Sequence, residues 1–187
     1  MSAIESRAGQ AQSPLRVVVI GAIGGAIAGM MMAAIEMIYG WLSDAHSLWD
    51  APMGVWAWVG GLDDFGTPGD HVGSIVLGLA GHMANSMMIG VVFAALMFYV
   101  IGARDLITPV ILGVVYGLVV WVVMRYAVLP LRSPEDTLFT KDLVSPQWVW
   151  WVAHAALGMT AGIYYDLVSR RVGRAHARFA IWKPRTA

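Results

Sequence analysis

The chain has 187 residues, of which 58% are hydrophobic and only 13% are charged, and its mean hydropathy is +0.66. Twelve basic and twelve acidic residues give a formal net charge of zero, and cysteine is absent. This composition excludes an ordinary soluble domain, and the lack of cysteine excludes disulfides and thiolate metal sites. We therefore expect an all-α integral membrane protein.

Four segments are long enough to cross a hydrocarbon layer about 30 Å thick, which takes about 20 residues of helix. They cover approximately residues 16–40, 73–101, 106–130 and 147–168. An outer loop rich in Trp and Gly (41–72) joins the first two, and a basic tail (169–187) follows the last. The sequence predicts a single membrane domain over residues 1–187, folded as a four-helix bundle.

Basic residues predict the orientation of the bundle. One side carries Arg7, Arg16, Arg104, Arg170, Arg171, Arg174, Arg178, Lys183 and Arg185, and the other carries Arg132 and Lys141. By the positive-inside rule, both termini are expected in the cytoplasm, and the protein is expected to cross the membrane several times. The basic tail then anchors the last helix, and no nucleic-acid partner is predicted. The expected partners are the lipid bilayer and other membrane subunits or further copies of this chain.

Two spaced patterns occur twice. The first and third spans share Gly-x-x-x-Gly followed by Met, at Gly21, Gly25 and Met32 and at Gly113, Gly117 and Met124. The second and fourth share His, Ala, Met and Gly, at His82, Ala84, Met87 and Gly90 and at His154, Ala156, Met159 and Gly162. Together they predict a duplicated two-helix hairpin, related by an axis along the membrane normal. Chance similarity between two apolar hairpins is the alternative.

Five polar side chains fall in the outer half of the spans, namely Glu36, His82, Asn85, Arg125 and His154. Such groups normally face the bundle interior and pair there, so we expect one polar cluster below the outer surface. Glu36, Asn85 and Arg125 form its structural part, with Glu36 and Arg125 neutralising each other. A metal-binding or proton-carrying role for Glu36 is the sharper alternative.

The two histidines admit three hypotheses. In the first hypothesis, each imidazole only forms a hydrogen bond to a neighbouring helix and binds no ligand. Alternatively, His82 and His154 are the axial ligands of a haem b between the second and fourth spans. In the third hypothesis they bind copper or another transition metal, with Glu36 or the thioethers of Met83 and Met87 completing the ligand set. Small residues around the histidines leave space for a bulky group, which favours haem over a dry contact, whereas methionine more often fills apolar gaps.

The Trp-rich sequence of the outer loop predicts that the loop covers this polar cluster from outside. Residues 53–59 are expected in the membrane interface, with Trp56 and Trp58 at headgroup level. His46, Asp50 and Asp44 suggest a divalent-ion site, but an ordinary acidic loop is the simpler interpretation.

The sequence contains no Walker loop, Gly-x-Ser-x-Gly, His-Glu-x-x-His or strand-based dinucleotide motif. Hydrolase or dehydrogenase activity is therefore not expected, and no catalytic residue is predicted.

Four stretches carry a family resemblance: GAIAGMMMAAIEM in the first span, a His followed by small residues in the second, GVVYGLVVWVV before Pro130, and HAALGMTAG in the fourth. Over most of residues 16–168 the chain resembles the YagU-like four-helix bacterial inner-membrane proteins, a domain of unknown function. The resemblance implies the four-span fold and no reaction, and the Trp-rich loop is longer than it leads us to expect.

The sharpest functional hypothesis is a small cytochrome-like or redox-complex membrane subunit in which His82 and His154 hold haem b or a metal. The alternatives are a non-catalytic assembly or scaffold subunit, and a transporter of a metal or small solute. No independent enzymatic activity is expected.

Overall fold

The structure is a computed structural model that describes residues 13–101, 107–132, 138–139 and 143–181. These residues form α1 (Pro14–Leu42), α2 (Asp50–Gly60), α3 (Val72–Ala95), α4 (Ile107–Val123), α5 (Leu129–Arg132) and α6 (Gln147–Ile181). A 3₁₀ turn (Leu62–Asp64) follows α2, a π-helical segment (Leu96–Ile101) extends α3, and another (Met124–Val128) joins α4 to α5. No strand occurs in the described ranges, so the all-α prediction is confirmed.

Three helical segments have the length and apolar composition needed to cross a membrane: Pro14–Leu42, Val72–Ile101 and Ile107–Leu131. They coincide with the first three predicted spans, whose length and apolar composition are thereby confirmed. The helix α6 is not among the three. Its first turns contain three tryptophans, Gln147 and His154, which lower its mean hydropathy, and it continues to Ile181, well beyond the predicted end at 168.

The long helices pack as a row in the order α3, α1, α6, α4, since α1 packs along α3, α4 along α6, and α1 against α6. The two helices at the ends of the row, α3 and α4, make little contact with each other. They meet at Tyr116 of α4, which donates a 2.9 Å hydrogen bond to the carbonyl of Ile89 on α3. The row therefore curls into a bundle that is tightly packed on one side and loosely closed on the other.

Glycines make the two closest helix interfaces possible. A Cβ at Gly90 of α3 would clash with the backbone of Gly21 and Gly25 on α1. On the other side of the bundle, a Cβ at Gly113 or Gly117 of α4 would clash with the backbone of α6. Small residues at four-residue spacing let helix backbones approach closely. The glycines that define the predicted repeat thus line the α1–α3 and α4–α6 interfaces in the same way.

The Trp-rich loop is folded against the bundle. Its helix α2 lies on α3, where the carbonyl of Pro52 abuts Gly78, and Met53 is fully buried. The indole Nε1 of Trp58 donates a 3.2 Å hydrogen bond to the carbonyl of Leu129 on α5. The predicted cap is therefore a packed helix that bridges the two ends of the row.

Two clusters of buried apolar side chains form the core. One lies between α1, α3 and α6 and includes Met32, Phe93, Leu157 and Tyr165. The other, beside α2 and α5, includes Trp121, Leu129, Phe139 and Trp150. A cavity lies where the two clusters meet, and residues of both line it.

Candidate functional site

The cavity has a volume of about 360 Å³ and lies between α3 and α4, at the end of the bundle that α2 covers. Its polar lining residues are His82, Asn85, Ser86 and His154, and its aromatic lining residues are Trp58, Trp121, Phe139 and Trp150. Small-molecule sites in proteins typically occupy about 300–1,000 Å³ and combine apolar walls with a few polar groups. The cavity has both properties, which makes it the candidate site.

His82 is held by a hydrogen bond to another helix. Its Nε2 lies 3.0 Å from the carbonyl oxygen of Gly29 on α1. A carbonyl oxygen only accepts, so Nε2 carries the proton, and in the neutral ring Nδ1 keeps its lone pair. In the described part of the chain Nδ1 has no hydrogen-bond partner. His82 therefore ties α3 to α1 and retains one nitrogen able to accept a proton or bind a metal.

His154 is buried and uses the opposite nitrogen. Its Nδ1 donates a 2.9 Å hydrogen bond to the carbonyl of Trp150, one turn earlier in α6. The ring also packs on Trp121, with ring centroids 5.0 Å apart. Nε2 keeps the lone pair, and an Nδ1–H bonded to a carbonyl is the usual support of a metal-binding histidine. His154 is therefore preorganised as a ligand through Nε2.

The two histidines contact different residues at one aligned position of α1 and α4. In the register that aligns Gly21 and Gly25 with Gly113 and Gly117, Trp121 takes the place of Gly29. Gly29 leaves its carbonyl open to the ring of His82. At the aligned position the ring of Trp121 packs on the ring of His154, which bonds within its own helix.

Glu36 borders a space separate from the cavity. It is only 3% exposed, and among the described residues its Oε1 has no hydrogen-bond partner. It borders a separate gap of about 10 Å³ together with Ala33, Met37, Ala51, Pro52, Val55, Leu79 and His82. Glu36 is thus a neighbour of His82 and not a lining residue of the cavity.

The predicted ion pair between Glu36 and Arg125 does not form. Their helices are not adjacent, because α6 lies between α1 and α4 in the row. Arg125 instead places its guanidinium 5.4 Å from the ring centroid of Tyr126, and its Nε finds no hydrogen-bond partner in the described part of the chain. The predicted single cluster is therefore divided: His82, Asn85 and His154 line the cavity, Glu36 borders a separate gap together with His82, and Arg125 borders neither space.

The described residues contain no group of three or more His, Asp or Glu side chains arranged to hold a metal ion. The ligand set Glu36, His82 and His154 does not assemble, since Glu36 borders a different space from His154. Among the methionines, Met32, Met88 and Met124 line the cavity, and Met83 and Met87 do not. The soft-metal site predicted from Met83 and Met87 is not found at the cavity.

His46 and Asp50 pair at the start of α2, with His46 Nδ1 3.6 Å from Asp50 Oδ2. The same carboxylate oxygen accepts a 2.9 Å hydrogen bond from the backbone N–H of Ser47. Burial raises the pKa of Asp50, and the bond from Ser47 and the proximity of His46 partly offset that effect. Asp44 is exposed and takes no part in the pair. This arrangement closes a turn and lacks the ligands of a divalent-ion site.

The aromatic walls of the cavity were not predicted from the sequence. Trp121 and Trp150 stack with their ring centroids 5.5 Å apart and their planes 12° from parallel. The available signal was the position of Trp121 inside an apolar span, because tryptophan in membrane proteins concentrates at the interfaces.

Comparison of the chain with protein-family models, curated proteins and solved structures finds no match. The resemblance to the YagU-like proteins therefore stays a prediction, and the functional argument rests on the geometry of the cavity.

Proposed function

We propose that this protein is a multi-pass membrane protein that binds a b-type haem in the cavity and serves as a small cytochrome-like subunit of a membrane redox complex. One observation carries the proposal: His82 and His154 line the same cavity, and each keeps one ring nitrogen free of hydrogen bonds. Bound haem would supply one-electron chemistry, and the protein would supply ligation, orientation and exclusion of water.

The residues around the cavity fit such a group. His154 is the stronger ligand, because its Nε2 is free and the Trp150 carbonyl fixes its ring. His82 is the second ligand, through Nδ1, or through Nε2 once the bond to Gly29 opens. Trp121, Trp150, Phe139 and Leu157 supply flat apolar walls, and Asn85 and Ser86 supply hydrogen bonds for a polar edge.

We also propose that α6 is a fourth membrane span. Both termini then lie in the cytoplasm, and the protein lies in the inner membrane. The packing of α6 along α4 and α1 supports a fourth span, because a helix in that position shares the depth of its neighbours. The matched glycine contacts support the duplicated hairpin. The proposed orientation rests on the basic residues from Arg170 onward. The structure does not describe their side chains.

Absorption spectroscopy tests the haem proposal directly. The protein is expressed with added haem precursor, purified in mild detergent, and measured in the oxidised and dithionite-reduced states. We expect a b-type spectrum that disappears in His154→Ala and disappears or becomes five-coordinate in His82→Ala. The matched control is His71→Ala, because His71 lies at the start of α3 and does not line the cavity. A haem-free preparation, or a spectrum unchanged in both cavity variants, overturns the proposal.

A non-catalytic assembly subunit is the second candidate. It is favoured by the hydrogen bond that each histidine already makes to a backbone carbonyl, which satisfies the ring without any ligand. In that case both alanine variants lower only the stability of the protein. A stable partner co-migrates on native gels with the wild type and with both variants.

A further inference from the structure

The cavity is open on one side of the bundle. Two of its lining residues, Val59 of α2 and Met88 of α3, are also 43% and 62% exposed, and Gly81 of α3 both lines it and is exposed. On the facing wall, Met124 and Val128 of the π-helical segment after α4 line the cavity and are partly exposed. These five residues border an opening between α3 and α4, which we call the side window.

Two hydrogen bonds frame the side window. Toward the end of the bundle that α2 covers, Trp58 donates to the carbonyl of Leu129. Toward the other end, Tyr116 donates to the carbonyl of Ile89, and its ring packs on Phe93 with the ring centroids 5.2 Å apart. Between these two bridges α3 and α4 make little contact. The side window is therefore a gap in helix packing that is bounded at both ends.

The cavity is covered at the end that lies under the outer loop. The helix α2 lies over this end and contributes Val55 and Trp58 to the lining. Phe139 covers it as well, since its ring packs edge-on against Trp150 with the centroids 5.3 Å apart. The side-chain amide of Gln147 donates a 2.9 Å hydrogen bond to the carbonyl of Phe139 and holds it in place. A ligand that entered here would have to displace α2 or Phe139.

The side window opens onto surfaces that face lipid. It lies between the segments Val72–Ile101 and Ile107–Leu131, both long and apolar enough to cross a membrane. Next to it, Val92 on α3 and Val122 on α4 are 55% and 39% exposed. Exposed apolar side chains on a spanning helix contact hydrocarbon. No charged side chain is among the described residues that line the cavity, so hydrocarbon can reach it without burying an ion.

The wall of the side window on the α4 side is irregular. Over Met124–Val128 the chain changes from α-helix to π-helix, and it returns to α-helix over Leu129–Arg132. Segments of π-helix are rare and occur frequently at functional sites. The coincidence of this segment with the two window residues Met124 and Val128 is an observation separate from their exposure.

We propose that the cavity is entered through the side window, directly from the bilayer, and that its ligand is a membrane-dissolved molecule with a flat apolar body and a polar edge. The flat body matches the stacked rings of Trp121 and Trp150, and the polar edge matches Asn85 and Ser86. Haem belongs to this class of molecule. The inference rests on the proposed use of the cavity as a binding site, but it does not require that haem is the ligand.

Spin-label accessibility tests the side window on protein without haem. The chain contains no cysteine, so Asn85→Cys places a single nitroxide label on the cavity wall. The labelled protein in lipid vesicles is measured by electron paramagnetic resonance with O₂, which concentrates in hydrocarbon, and with a water-soluble nickel chelate. The reference variants are Val92→Cys on the lipid-facing surface of α3 and Asp44→Cys on the exposed outer loop. We expect an oxygen-to-nickel ratio at position 85 close to that at position 92 and well above that at position 44.

A variant that blocks the side window sharpens this measurement. Met88→Trp, added to Asn85→Cys, places a large side chain in the opening, so we expect the oxygen accessibility of the label to fall while the nickel accessibility stays low. Val92→Trp is the matched control, because it adds the same side chain one turn further along α3, where no cavity is lined. It should leave the label at position 85 unchanged.

Metal-free protoporphyrin IX tests the class of ligand and its route. It is flat and apolar with a polar edge, and without iron it makes no bond to a histidine nitrogen. Uptake from vesicles is followed by energy transfer from tryptophan to the porphyrin. We expect saturable binding to the wild type and to Val92→Trp, and slower uptake by Met88→Trp. Both variants add one tryptophan, so the number of energy donors is matched.

Each remaining outcome overturns part or all of the proposal. Nickel access at position 85 equal to that at position 44 means that the cavity opens to water, and a label that neither reagent reaches means that it is sealed. Absence of saturable porphyrin binding rejects the ligand class, and equal uptake by Met88→Trp and Val92→Trp rejects the route. If Asn85→Cys does not fold, Gly81→Cys replaces it, because an added Cβ there comes no closer than 3.9 Å to Val55. All these results are obtained without haem, so they are separate from the spectral test of the histidine variants.

Discussion

The imidazole of His82 and the carbonyl of Gly29 are joined by a 3.0 Å hydrogen bond that crosses the interface between α1 and α3. The bond depends on the absence of a side chain at position 29, since a Cβ there would press against Ser86 and lie 3.6 Å from the imidazole Nε2. This contact thus ties α1 to α3 and sets the tautomer that His82 presents to the cavity.

We predict that His82→Ala lowers the free energy of unfolding by about 2 kcal/mol, because the carbonyl of Gly29 loses its partner in an apolar interface. His82→Gln should recover part of that loss, since its amide can donate to the same carbonyl. Denaturant unfolding in detergent, followed by circular dichroism, measures both. Equal losses in the two variants would show that ring packing, and not the hydrogen bond, supports the interface.

The α1–α3 interface also predicts a strong position dependence for Gly→Ala changes within α3. At Gly90 an added methyl group meets the backbone of Gly21 and Gly25, so we expect a loss of about 1–3 kcal/mol from overpacking. Gly73, in the first turn of the same helix, has no atom within 4 Å of an added Cβ. Gly73→Ala should be neutral or stabilising by up to about 1 kcal/mol. Thermal unfolding of the two variants makes the comparison, and similar melting temperatures would contradict the close approach at Gly90.

The extents of the first three spans could be predicted from the sequence, and the neighbours of each helix could not. The first span was expected at 16–40 and forms Pro14–Leu42, because continuous apolar sequence determines where a helix can be buried in lipid. Side chains that face lipid are as apolar as those that face another helix, so periodicity does not reveal which helices touch. The row order and the loose contact between α3 and α4 therefore emerged only from the structure.

Because the sequence does not show which helices touch, only some of the predicted polar residues are found together at the candidate site. His82 and His154 were expected in one site and do share the cavity, because both lie at a similar distance from the loop end of their helices. Glu36 and Arg125 satisfy the same condition of depth but lie on helices separated by α6. Depth can be read from a sequence by counting residues, whereas adjacency depends on packing between small residues on several helices.

Tyr116 provides the direct hydrogen bond between α3 and α4, through its hydroxyl and the carbonyl of Ile89. We predict that Tyr116→Phe lowers the free energy of unfolding by about 1 kcal/mol, the typical net value of one hydrogen bond. Tyr126→Phe is the matched control, because the side chain of Tyr126 is 70% exposed. Denaturant titration of both variants tests the prediction. A loss at Tyr126 equal to that at Tyr116 would mean that the contact with Ile89 contributes nothing specific.

The turn before α2 predicts a pH dependence that can be assigned to one group. Burial raises the pKa of Asp50 in the folded protein above its ordinary value of about 3.9. The folded state therefore binds this proton more tightly than the unfolded state. Above the folded-state pKa the charged carboxylate carries the full cost of its partial burial. As the pH falls through that pKa the cost is relieved, and below the ordinary value the relief is complete.

We therefore predict that the wild type gains stability relative to Asp50→Asn as the pH is lowered from about 7 to about 4. The gain should be under about 1 kcal/mol, because the carboxylate is only partly buried. Asparagine keeps an oxygen that can accept the hydrogen bond from Ser47, so the turn itself should survive. Melting temperatures of both proteins across this range make the measurement, and repeating it with His46→Gln in both removes the ion pair as a cause. If the wild type instead loses stability relative to Asp50→Asn on acidification, the contacts of Asp50 with Ser47 and His46 outweigh the cost of its burial.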